Sequence, residues 1–197
     1  MDEEMKDLVS RLAKYLEKRS EQQLRCFHKP ESQVQVEGWF KGEILYFLDQ
    51  EKSAGKLPDF KPEEMLYVPV GDECKRINVD ISLQFKSGSA WVELKHWHSY
   101  LTKKPKTYYG CDWYFTTANH SSCVKPAAEK LLTIREKGNK FMLVLCTDKP
   151  SSEGWNFGVK KFNDKFSPLS VCSLTNPGDY PEYFFLGLLR VSRGDQH

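Results

Sequence analysis

INVDISLQFKSGSAWVELKHW, residues 77–97, alternates apolar and polar side chains almost without a break. Over residues 77–85 the odd positions are Ile77, Val79, Ile81, Leu83 and Phe85, and the even ones Asn78, Asp80, Ser82 and Gln84. After the turn the parity inverts: Ala90, Val92 and Leu94 are apolar, while Trp91, Glu93 and Lys95 share the other face. A period of two predicts two strands of an antiparallel hairpin, paired so that their apolar faces coincide. A turn centred between Ser87 and Gly88 satisfies this and predicts Phe85 opposite Ala90, Leu83 opposite Val92 and Ile81 opposite Leu94. The same register sets Asp80 across from Lys95 and Ser82 across from Glu93. Directly opposed Cβ atoms lie ~4.5–5.5 Å apart, so the three charged side chains converge on one patch.

Working outward, Met5, Leu8, Val9, Leu12, Tyr15 and Leu16 recur at helical spacing and predict an amphipathic helix over residues 3–19. Phe40, Ile44, Phe47 and Leu48 predict a second over residues 36–50. Gly55, Pro58 and Pro62 mark a loop, and residues 65–70 a short strand. Val124, Ala127, Leu131, Leu132 and Ile134 predict a helix over residues 122–137, stopped by Gly138. KFMLVLC, residues 140–146, reads as a buried strand. Residues 155–166 are aromatic-rich and ambiguous, and residues 183–191 predict a last strand.

A chain of 197 residues, 40% hydrophobic and 13% aromatic, predicts one globular domain with a substantial core. No apolar run approaches the ~20 residues that span a bilayer, and the charged start MDEEMKDLVSRL is unlike a secretory signal, so the expectation is a cytoplasmic protein off the membrane. A net charge of +2 is too small to argue nucleic-acid binding by itself. The 6 cysteines show no CxxC pair, which suits free thiols in a reducing compartment. Cys26 with His28, His96 with His98, and His120 with Cys123 could each give zinc two ligands, short of the four of a structural site.

An exposed Asp80–Lys95 pair is worth only ~0–1 kcal/mol and arises without function. Glu43 argues for more. It falls inside the apolar arc of the second helix, in one row with Trp39 and Phe47, where an unpaired carboxylate costs several kcal/mol. Glu37 faces the same side, but a first-turn carboxylate is explained by the helix dipole. Asp80 and Glu93 match what Mg²⁺ takes, one or two carboxylates plus phosphate and water oxygens, and the Leu94 backbone carbonyl is a candidate further ligand. Such a cation neutralises developing charge and generates hydroxide in phosphodiester hydrolysis. Lys95 beside it suits orienting or deprotonating the attacking water.

Asp80, twelve residues, then Glu93-Leu94-Lys95 on paired strands, preceded by Glu43 on a helix, resembles the PD-(D/E)xK nuclease superfamily. WFKGEI, residues 39–44, resembles the helix entry of several of its branches, whereas Val79 stands where the motif has proline. The resemblance implies an α/β protein with a restriction-endonuclease-like core: a central mixed sheet flanked by helices in the order α-β-β-β-α-β over residues 36–146. Residues 1–30 would form an N-terminal helical extension and residues 147–197 a strand-containing C-terminal one. It implies Mg²⁺, with Mn²⁺ as substitute, held by Asp80, Glu93, Leu94 and Glu43, and Lys95 assisting the nucleophile. It also favours DNA over RNA as substrate.

Lys103, Lys104 and Lys106, interleaved with Tyr100, Tyr108 and Tyr109, could track a nucleic-acid strand or simply form a solvated loop. Lys160, Lys161 and Lys165 near Phe162 and Phe166 invite the same two readings, and Lys125 is the candidate from the later helix. The alternatives are an inactive member of the fold that binds nucleic acid or protein, and a regulatory protein that docks a partner or a second copy through its N-terminal helix.

Overall fold

The computed structural model describes residues 1–19, 36–71, 73–97, 115, 123–146, 158–160, 171–175 and 185–192. Two helices, α1 (Asp2–Arg19) and α2 (Val36–Ser53), precede β1 (Asp59–Val70), β2 (Glu73–Phe85) and β3 (Gly88–Trp97). Then come α3 (Val124–Thr133), β4 (Asn139–Cys146), β5 (Val171–Thr175) and β6 (Phe185–Val191). The strands form one mixed sheet of six in the order β1-β2-β3-β4-β6-β5, with β3 and β4 parallel and every other pair antiparallel. Parallel neighbours need a long crossover, and α3 lies within it.

Each face of the sheet carries its own core. Met5, Leu8, Leu12 and Leu16 of α1 and Phe40, Ile44 and Phe47 of α2 pack on Ile81, Leu83, Val92, Leu94, Phe141 and Leu143. Val124, Ala127, Ala128 and Leu131 of α3 pack on Val79, Trp91, Trp97, Met142 and Val144. β4 alternates between the two, with Phe141, Leu143 and Leu145 on one side and Met142, Val144 and Cys146 on the other, as expected of a central strand. The apolar stripe of α1 is therefore covered within the chain.

The helix predicted over residues 122–137 is shorter, because Ile134 turns to an extended backbone (φ −67°, ψ 120°) and its side chain enters the core. The strand predicted over residues 65–70 begins at Asp59 and runs through Pro62, where a loop was expected. β1 is an edge strand, where a proline without an N–H is tolerated.

The long β1–β2 hairpin changes layers partway along its length. Ile81, Leu83 and Phe85 face the α1/α2 layer, while Ile77 and Val79, of the same parity, belong to the α3 layer. The strand therefore turns over between Val79 and Ile81, at Asp80. Opposite it the β1–β2 register is kept, Pro62 pairing with Ile81 and Glu64 with Val79, but Glu63 between them takes φ +50°. A left-handed backbone costs a residue other than glycine roughly 1–2 kcal/mol, so the twist is concentrated here against a local strain.

Candidate functional site

The β2–β3 ladder runs from Phe85↔Gly88 through Leu83↔Ala90 to Ile81↔Val92, closed by the two-residue turn Lys86-Ser87. The expected register is thus corrected by two residues. A shift of two keeps every side chain on its face, so the apolar pattern cannot choose between the two pairings; loop length chooses, and two-residue hairpin loops are the commonest. The consequence is chemical. Ser82 stands across from Trp91, and continuing the register brings Asp80 to the level of Glu93 instead of Lys95.

At that level the ladder opens. β2 continues on β1 as far as Glu73, while β3 continues on β4 as far as Trp97, so the two strands diverge into a fork. Two carboxylates fill it. The Leu94 N–H donates to Asp80 Oδ2 at 2.9 Å, and the Asp80 N–H donates to Glu93 Oε1 at 3.3 Å. Side-chain oxygens thus replace the backbone acceptors lost where the strands part. In a strand the N–H and C=O of one residue leave on the same side, so the Leu94 carbonyl also faces the fork.

Glu93 is 2% exposed and Lys95 8%. Burial, then the charge of Asp80, push the Glu93 carboxyl up to about 7, against the pull of Lys130 and Lys95. Lysines from both helical layers meet the acids. Lys130 of α3 places Nζ 2.5 Å from Glu93 Oε1 and donates to the Asn78 carbonyl at 2.8 Å. Lys41 of α2 lies 3.0 Å from Asp80 Oδ1 and also bonds Glu63. Burial works against the Lys41 charge, but the hydrogen bonds to Glu63 and Asp80 outweigh it and raise its pKa. Lys95 Nζ is 4.0 Å from Glu37 Oε1.

Of the residues expected at the site, Asp80, Glu93, Leu94 and Lys95 come together at the fork. Glu43 does not. Its row with Trp39 and Phe47 faces α1, where it accepts the Tyr15 hydroxyl at 2.8 Å while the Tyr15 ring lies 5.4 Å from Phe47. That contact satisfies the half-buried carboxylate, and Glu37, one turn from Lys41, is the α2 acid beside Lys95 instead. Lys125 pairs with Glu129 along α3 at 3.7 Å, and Lys130 is the α3 residue that reaches the acids. Lys130 was legible as the residue flanking the Ala127–Leu131 stripe, and Lys41 as i+4 from Glu37.

Lys103, Lys104, Lys106, Tyr100, Tyr108 and Tyr109 lie outside the described residues, as do Lys161, Lys165, Phe162, Phe166, Cys26, His28, His98 and His120. Among the described residues, no group of three or more His, Cys, Asp or Glu side chains gathers as a metal site. Asp80, Glu93 and the Leu94 carbonyl offer a cation three oxygen-bearing groups, which fits Mg²⁺ with its remaining positions left to water or phosphate. Cys74, Cys123 and Cys146 form no disulfide among the described residues, and no helix among them is long and apolar enough to cross a membrane. Compared with protein-family models, with curated proteins and with solved structures, the chain matches none.

Proposed function

We propose that the chain is a metal-dependent nuclease of the PD-(D/E)xK kind, with a restriction-endonuclease-like core, that hydrolyses phosphodiester bonds of nucleic acid, DNA before RNA. The observation that carries this reading is the pair of carboxylates at the strand fork, one buried at 2% exposure and pushed up to about 7. A buried acid that resists ionisation beside a second acid is a place where a cation lowers the energy of both. Asp80, Glu93 and the Leu94 carbonyl would hold Mg²⁺ or Mn²⁺, which supplies charge neutralisation and an acidified water. Lys95, on the same strand face as Glu93, would orient or deprotonate an attacking water and meet charge developing on the phosphoryl oxygens. Lys41 and Lys130 neutralise the carboxylates in the metal-free chain. Once those oxygens are taken, both ammonium groups are available to substrate phosphate.

A second reading, an inactive nucleic-acid-binding member of the same fold, is favoured by one observation: each carboxylate already has a lysine partner, Lys41 on Asp80 and Lys130 on Glu93. The deciding experiment offers single- and double-stranded DNA and RNA to the protein with Mg²⁺, Mn²⁺ or EDTA, beside Lys95→Ala. We expect metal-dependent cutting that falls about 100-fold or more in the variant. Calorimetric metal binding should weaken in Asp80→Asn and Glu93→Gln and persist in Lys95→Ala. Nucleic acid bound but left uncut with every metal, together with no measurable metal binding, would establish the second reading.

A further inference from the structure

Because β2 turns over at Asp80, the far half of the β1–β2 hairpin projects along α3 and leaves a groove of about 770 Å³ between them. Its apolar surfaces are Val68, Ile77 and Pro126, and its cations are Lys75, Arg76 and Lys130. The one carboxylate lining it, Glu129, already faces Lys125 at 3.7 Å. Lys75 and Arg76 are exposed, and neither bonds an acid among the described residues. Their cross-strand partners are Val68 and Tyr67, so no carboxylate stands opposite either cation. The inner end of the groove is the site itself: Asn78 and Lys130 line it, and the Lys130 ammonium bridges the Asn78 carbonyl to Glu93.

We infer that this groove holds one strand of nucleic acid and leads it to Asp80 and Glu93, with Lys75 and Arg76 neutralising its phosphates over the apolar floor of Val68, Ile77 and Pro126. The inference rests on the nuclease reading of the fork. Its own support is charge complementarity: unpartnered cations along an apolar-floored channel are how a single strand is held without regard to sequence. The volume argues for one strand rather than a duplex, being that of a small-ligand site.

The test is binding of short fluorescent single-stranded DNA and RNA oligonucleotides, and of the matching DNA duplex, across a salt series, in EDTA so that nothing is cut. The proteins are the wild type, Lys75→Ala/Arg76→Ala, and Lys86→Ala/Lys137→Ala, which removes two exposed lysines outside the groove. Circular dichroism verifies that all three are folded. Two phosphate contacts on a single strand contribute about 1.4 to the slope of log K against log salt. We expect the groove variant to lose about that much slope and about tenfold or more in affinity at low salt, with the control matching the wild type. A groove variant that keeps the wild-type slope and affinity overturns the inference, as does a wild type that binds duplex better than single strand. If the wild type binds no strand, the groove assignment also falls. Mg²⁺-dependent cutting by the same preparation then shows whether the nuclease reading stands without it.

Discussion

Glu93 is the residue on which the proposed chemistry turns, and its environment gives a stability signature independent of any turnover. The folded carboxyl titrates near 7, against an ordinary value of 4.5. Between those values the folded chain holds a proton that the unfolded chain has released, so metal-free stability falls as pH rises from about 4.5 through 7 and stays low above it. The penalty has an upper limit of about 3 kcal/mol. In EDTA, Glu93→Gln should therefore melt several degrees above the wild type at pH 8, with the gain shrinking towards pH 5. An equal difference at both pH values would mean that Glu93 ionises normally. Sequence parity identified Asp80, Glu93 and Lys95 as one cluster, because burying the apolar face leaves them nowhere else to point. The helical acid was less legible: on a wheel Glu43 and Glu37 share a side, and only the fold shows that Glu43 meets Tyr15 of α1 while Glu37 meets Lys95.

At the scale of elements, the β3–β4 pairing depends on how closely the chain before β4 approaches β3. Gly138, at φ +155°, has room for no side chain: a Cβ would lie 2.8 Å from Trp91 Nε1 and 2.9 Å from the Ser89 carbonyl oxygen. Gly138→Ala should destabilise the protein by about 2–3 kcal/mol in urea denaturation, since the chain there must move away from the strand beside which it sets Ala90↔Asn139. A loss under about 0.5 kcal/mol would show that the loop yields without disturbing the sheet. The central strands were legible because β4 is apolar on both faces and β2 and β3 alternate cleanly. β1 was half hidden, since Lys61, Pro62, Glu63 and Glu64 read as loop on any local scale; pairing with β2 along its length makes a strand of them. The turnover at Asp80 had no local signal, because the parity of Ile77 to Phe85 is unbroken and only the layers they meet differ.

For the whole molecule, the two cores place the fork between layers, so that α2 brings Lys41 and α3 brings Lys130 to the same two acids. α1 closes one core and ties itself to α2 through Arg11, whose guanidinium meets Glu51 at 2.7 Å. Leu12→Asp should unfold this layer, costing about 3 kcal/mol or more in chemical denaturation, with no concentration-dependent dimer in the wild type for it to abolish. A folded variant and a wild-type dimer dissociated by the substitution would return α1 to the role of an interface. The fork also has a spectroscopic consequence. The Leu94 amide proton, deep in the sheet, is held by the Asp80 side chain, one of the two carboxylates of the proposed metal site, where its neighbours are held by peptide carbonyls. Its ¹⁵N–¹H resonance and its hydrogen-exchange rate should move when Mg²⁺ or Mn²⁺ is added, while amides of the β3–β4 ladder stay still. The backbone thus carries its own reporter of what occupies the site, readable before any substrate is known.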